Sequence, residues 1–124
     1  MSEDIDYDGL MQANLSRVFS EPDARKRSAA IAELYAPDAV LYEPDNIATG
    51  HAEIAQAVDA LAKSLPPEFV FRADGPAIGH HGLGRLRWLG GPAGGSVAVT
   101  GTDVVRIEAG LIKTIHVFLD PPEG

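Results

Sequence analysis

Two carboxylates stand in strand-like sequence that is otherwise mostly apolar. Glu43 closes the run Ala39-Val-Leu-Tyr-Glu43, and Asp103 sits inside Val97-Ala-Val-Thr-Gly-Thr-Asp-Val-Val-Arg-Ile107. A charge among strand apolars costs desolvation unless it is paired or put to use. Aimed into one pocket, the two would form a pair suited to proton transfer. One takes a proton; the other, kept neutral by burial, donates a hydrogen bond to charge developing on a substrate oxygen. Period two puts Val97, Val99, Gly101, Asp103, Val105 and Ile107 on one face, where burial would raise the pKa of Asp103. The competing reading makes Asp103 an acceptor of backbone or hydroxyl hydrogen bonds that braces the sheet. Glu43 shares its face with Ala39 and Leu41 and precedes Pro44, which places its carboxylate at a strand end near a pocket mouth. It is either a base or ligand contact there, or a carboxylate that is solvated or paired with an arginine.

Other side chains with chemical potential are weaker. Trp88 and Leu86 alternate with Arg85 and Arg87, so the apolar pair is expected on the pocket or core face and the arginines on the outer face. The reverse assignment would put two guanidiniums in the pocket and imply an anionic ligand. His80 and His81 are adjacent in a strand-like segment and so point to opposite faces, and His51 and His116 lie far away. No metal site is expected, and no cofactor. His116 is expected on the outer face, Tyr42 in packing, Tyr35 in the core at the end of a helix, and Tyr7 at a frayed end. The Gly90–Gly95 stretch lies between strands with no helix to hold a phosphate, and no serine has a nucleophile-elbow context.

Positioning these groups takes one domain. The 124 residues, 45% hydrophobic and 23% charged, suffice for a core without staples. There is no cysteine, hence no disulfide, thiolate site or cysteine nucleophile. The net charge of -8, with the ten Lys and Arg scattered, argues against nucleic acid. The N-terminus is acidic, unlike a secretory leader, and no apolar run is long enough to span a bilayer. No membrane association and a cytoplasmic location are therefore expected. Apolar spacing predicts helices over 6–19, 24–35 and 51–64, and strands over 39–43, 68–73, 83–89, 96–108 and 111–119. Gly90–Gly95 is read as a hairpin loop, Ala109-Gly110 as a turn and 120–124 as a tail. Helices first and an antiparallel meander after make an α+β roll, a curved and mostly antiparallel sheet packed against three helices. The whole chain, 1–124, reads as this single domain, with an ordered core of about 6–119.

This order, with Leu34-Tyr-Ala-Pro-Asp-Ala-Val40, Gly50-His-Ala-Glu-Ile54, Thr100-Gly-Thr-Asp-Val-Val-Arg106, Gly110-Leu-Ile112 and Val117-Phe-Leu-Asp120, resembles the nuclear transport factor 2-like superfamily and its SnoaL-like members. The resemblance covers nearly the whole chain. It implies a cone-shaped cystatin-like α+β roll, a mostly apolar pocket for a small apolar molecule, and a homodimer through the outer face of the sheet. Functions on this fold include isomerases, cyclases, hydrolases, dehydratases and non-catalytic carriers. Beside the ketosteroid isomerases, the general-base position falls on Glu43, with Glu in place of Asp. The protonated acid of the oxyanion site falls on Asp103. The tyrosine of the first helix falls near Val18, which cannot donate, and Asn14 is the replacement donor nearby. The expected ligand-contacting set is Asn14, Val18, Tyr35, Trp88, Val105 and Ile115. The expected function is a small cofactor-independent isomerase, cyclase or dehydratase that acts on an apolar carbonyl compound; the alternative is a non-catalytic ligand-binding or dimerisation module.

Overall fold

In the computed structural model, residues 4–121 are described. Asp6 caps helix α1 (Tyr7–Asn14), its carboxylate accepting from the Gly9 amide at 2.8 Å. The helix then widens into one π turn, Leu15–Phe19. Asp23 caps α2 (Ala24–Leu34) in the same way through the Arg25 amide. In α3 (Gly50–Ser64), Glu53 reaches back to the Thr49 amide at 2.9 Å, half of a capping box. Around and after them run β1 (Tyr35–Glu43), β2 (Asn46–Thr49), β3 (Phe69–Ala73), β4 (Ile78–His80), β5 (Leu83–Pro92), β6 (Val99–Glu108) and β7 (Leu111–Leu119). The sheet order is β2-β1-β7-β6-β5-β3, with β4 also paired to β5. Only β1 and β7 run parallel; the other pairs are antiparallel.

One sheet face carries the core. Leu41, Leu86, Val105, Ile107, Ile112 and Ile115 are buried there, together with Met11, Leu15, Val18, Ile31, Ile54 and Val58 of the helices. Arg27 of α2 is buried as well. It donates to Asp59 of α3 at 2.9 Å and to the Glu21 carbonyl at 2.7 Å, tying two helices together. Ser20 docks the end of the π turn on edge strand β3, donating to the Phe71 carbonyl (2.7 Å) and accepting from the Phe71 amide (2.9 Å). The sheet edge is thereby covered rather than left open.

Several boundaries differ from those expected. The first helix changes type at Leu15, and β1 begins at Tyr35, directly after α2. Two short strands were not foreseen: Pro44 ends β1, but Asp45 starts a tight return, and Asn46–Thr49 pairs back onto β1. Ile78–His80 pairs with β5. The hairpin loop lies further along than expected, because β5 continues through Gly90 and Gly91 to Pro92 while β6 starts only at Val99. His81-Gly82 and Ala109-Gly110 are two-residue hairpin turns in which both residues have positive φ. The first turn brings the His80 and His81 rings together, with Nδ1 atoms 2.9 Å apart, instead of sending them to opposite faces. Tyr7 is not frayed: its hydroxyl accepts from the Gly82 amide at 2.7 Å, and its ring lies over Gly79, where a Cβ would come within 2.4 Å. Asp120 is held by Thr100 (2.6 Å) and Arg87 (2.8 Å), so the tail begins one residue later, and 122–124 lie outside the described residues. Among the described residues no helix is long and apolar enough to cross a membrane.

Candidate functional site

A cavity of about 420 Å³ opens between the helices and one end of the sheet, within the range of small-molecule sites. Its wall is built by Leu15 and Phe19 of the π turn, Leu61 and Leu65 at the end of α3, and Phe71, Trp88, Val99, Val117 and Leu119 of the sheet. The polar lining is Glu43, Asp45 and Asp103. The strand register explains why the two foreseen carboxylates meet. Tyr42 pairs with His116, so Glu43 comes beside Val117, and Val117 pairs with Asp103 on its other side. Glu43 and Asp103 therefore flank Val117 in one cross-strand row, two strand spacings or roughly 10 Å apart at the backbone.

Asp103 lies on the floor, only 4% exposed. Its Oδ1 accepts from the Trp88 indole Nε1 at 3.0 Å. Burial pushes its carboxyl from 3.8 up to about 7, against the lowering effect of that hydrogen bond. No enclosed side-chain polar atom among the described residues lacks a partner. Oδ2, for which no protein hydrogen bond exists, must therefore open onto the cavity. Because Oδ1 accepts from the indole N–H, Oδ2 is the oxygen left free to carry the proton of the neutral acid. Glycine makes this pairing possible. Trp88 lies opposite Gly101, where a Cβ would come within 2.4 Å of the indole Cζ2. The ring crosses β6 at that gap and so reaches Asp103 two residues on. Phe71 packs edge-on against Trp88, centroids 5.3 Å apart, and fixes it from the other side.

Glu43 is half-buried at the mouth, where the Asn46 amide approaches Oε1 at 3.4 Å, and Asp45 beside it is exposed. Asn14 and Tyr35 do not line the cavity. Both are buried in the core, where the Tyr35 hydroxyl donates to Asn14 Oδ1 at 2.5 Å. Burial, and then the charge of Asp103, push the Tyr35 phenol far up. Val18 is also in the core: Leu15 and Phe19 are the π-turn residues that face the cavity. Val105 and Ile115 form the next row of the sheet beyond Asp103 and Val117, fully buried beneath the helices where the cavity has already closed. Of the expected ligand-contacting set, Trp88 alone lies in the wall.

The remaining wall residues were not singled out by sequence. Leu15, Phe19, Leu61 and Leu65 carry the same inward-facing periodicity as true core residues, and nothing local separates a residue that touches a cavity from one that fills it. Arg85 and Arg87 are exposed on the outer face, as the alternation with Leu86 and Trp88 requires. Arg87 is paired there with Asp74 and Asp120. Among the described residues no group of three or more His, Asp or Glu is placed to hold a metal ion.

The model of the SnoaL-like domain matches residues 17–115. No curated protein matches the chain. Among solved structures, a provisionally named isomerase of the SnoaL-like family from Agrobacterium tumefaciens is 25% identical, with 93% of this chain and 97% of that one covered and a TM-score of 0.85. A provisionally named polyketide cyclase from Sinorhizobium meliloti is 19% identical over 88% and 93% of the two chains, TM-score 0.68. A provisionally named ketosteroid isomerase from Kribbella flavida is 14% identical over 95% and 83%, TM-score 0.67. The last two speak for the fold alone. A family match over most of the chain, on the α+β roll described above, makes this protein a member of the SnoaL-like domain family.

Proposed function

We propose that this protein is a small enzyme that moves a proton on an apolar carbonyl compound, with Glu43 as the base and Asp103 as the hydrogen-bond donor to the carbonyl oxygen. The observation that carries the reading is the buried Asp103, held on one oxygen by Trp88, with the other oxygen open to an apolar cavity that Glu43 also lines. A ketone oxygen bound at Oδ2 has its α-carbon on the Glu43 side. Glu43 removes the α-proton, negative charge gathers on the oxygen, and the neutral Asp103 meets it with a charge-assisted hydrogen bond. Returning the proton to another carbon gives isomerisation. Attack of the enolate on a second carbonyl gives cyclisation, and loss of a β-hydroxyl gives dehydration. The name of the neighbouring isomerase agrees with this class.

The test is exchange of α-protons for deuterium in a panel of aryl ketones and enones, followed by NMR. Exchange reads the first step whatever the net reaction. Glu43→Gln should lose on the order of a hundredfold or more. In the wild type, exchange should fall as pH rises through about 7, where Asp103 loses its proton. Asp103→Asn, whose amide donates at every pH, should lose that decline. Exchange that is unaffected by Glu43→Gln would sink the assignment. Ligand binding without exchange would favour a non-catalytic carrier, a reading the position of Glu43 at the mouth, bonded to Asn46, would then suit.

We also propose that two copies pair through the outer face of the sheet. The row Ile47, Tyr42, His116, Val104, Arg85 and Ile78 crosses six strands there, Tyr42 stacks on His116, and Phe118 extends the stack. Ile47, Phe118, Ile78 and Leu83 are all about half exposed or more, a larger apolar surface than scattered single residues produce.

A further inference from the structure

We propose that the cavity selects by charge: it takes an apolar molecule bearing a protonated amine and rejects carboxylates and phosphates. The inference rests on the small-molecule reading above for the identity of the site, and adds the class of compound that fills it. The residues lining the cavity include Glu43 and Asp45 at the mouth and Asp103 on the floor, with no Lys, Arg or His among them. Four basic side chains elsewhere are held by other acids, whereas Lys63, between the lining residues Leu61 and Leu65, is in none of these pairs. Arg27 is bound to Asp59, Arg87 to Asp74 and Asp120, Lys113 to Asp38 and Arg17 to Glu33. Apolar walls of low dielectric focus the field of carboxylates at an opening. An anion would enter against that field and meet no cationic partner inside. An ammonium group would find the exposed carboxylate of Asp45 beside the half-buried one of Glu43, with the aromatic rings of Phe19, Phe71 and Trp88 lining the space behind them.

The floor supplies an independent observation. Asp103 is buried, and Oδ2 faces the cavity without a protein partner, so the interior is completed by an uncharged polar atom of the occupant. Floor and mouth lie roughly 10 Å apart by strand spacing. The volume of 420 Å³ equals about fourteen waters at roughly 30 Å³ each. Both dimensions suit an aromatic frame of one or two rings, with a carbonyl at Asp103, its α-carbon toward Glu43, and an amine at the mouth beside Asp45.

The chain has a single tryptophan, so the indole N–H signal of Trp88 in proton NMR reports occupancy without a label. The probes are three acetylnaphthalenes identical apart from one ring substituent: aminomethyl, methoxymethyl or carboxymethyl. In the wild type at low salt the aminomethyl compound should bind tightest and the carboxymethyl compound weakest, about tenfold or more apart. Asp45→Asn should narrow that gap roughly threefold, the scale of one exposed charge pair. In the Glu43→Gln/Asp45→Asn double variant the three affinities should converge. Equal wild-type affinities for the charged pair, or a gap that survives the double substitution, would overturn the inference while leaving the cavity as a ligand site. If none of the three moves the Trp88 signal, the small-molecule reading itself fails and the charge selection falls with it.

Discussion

Replacing Asp103 by Asn should stabilise the protein, and increasingly so as the pH rises. In the unfolded chain this carboxyl titrates at its ordinary 3.8, whereas in the folded state burial raises it to about 7. The folded state therefore holds the proton more tightly. Stability contributed by the neutral acid is complete below about pH 4, falls as pH rises from there to about 7, and changes no further above that. Each tenfold difference in proton affinity is worth about 1.4 kcal/mol, so the span from 3.8 to about 7 amounts to about 4 kcal/mol in full. The portion lying between pH 5 and pH 8 is roughly 2 to 3 kcal/mol. Asparagine preserves shape, keeps an oxygen for the Trp88 N–H and does not titrate. The difference between variant and wild type isolates this one group, because the lowered carboxyls of Asp8, Asp38 and Asp120 are exposed and common to both. Urea denaturation across that range is the assay. With a slope on the order of 1 to 2 kcal/mol per molar, the midpoint of the variant should gain about 1 to 3 M on the wild type between the two ends. A difference that stays flat with pH would refute the reasoning, because it would mean that Asp103 is as well solvated folded as unfolded.

Two further outcomes follow from the same wall and from the outer face. Gly101→Ala puts a Cβ within 2.4 Å of both the Phe118 carbonyl oxygen and the Trp88 ring, so it should cost on the order of 1 to 3 kcal/mol. It should also shift the indole N–H signal as the bond to Asp103 is displaced; an unchanged melting temperature and spectrum would contradict the packing described. Phe118→Glu places a charge in the Tyr42–His116–Phe118 stack on the outer face. It should convert the proposed dimer to monomer in sedimentation while leaving the circular dichroism spectrum intact, and a wild type that sediments as a monomer would remove the dimer.

Much of this molecule was already determined by local sequence. Alternation in Leu83–Leu89 and in Val99–Ile107 sets which side chains enter the core. It places Trp88 and Asp103 inward and Arg85 and Arg87 outward, because a strand offers each residue only two faces. The capping residues Asp6 and Asp23, the helical stripe of α3 and the Ala109-Gly110 turn are also local choices, made by hydrogen bonds within a few residues. Glu43 and Asp103 could be recognised from sequence because a carboxylate among strand apolars demands an explanation wherever it sits.

Only the tertiary structure decided what those side chains meet. The parallel pairing of β1 with β7 sets Glu43 beside Val117 and so in one row with Asp103, a register that depends on pairs such as Tyr42 with His116, far apart along the chain. The same register consigns Val105 and Ile115 to the filled core, although their period is that of Asp103. Asn14, the replacement donor near Val18, and Tyr35, a possible phenol donor, are instead bonded to each other in the core and are not among the residues that line the cavity. Where the core stops and the cavity begins is a matter of volume. It depends on how far α3 and the π turn reach over the sheet, and no periodicity in the sequence carries that distance.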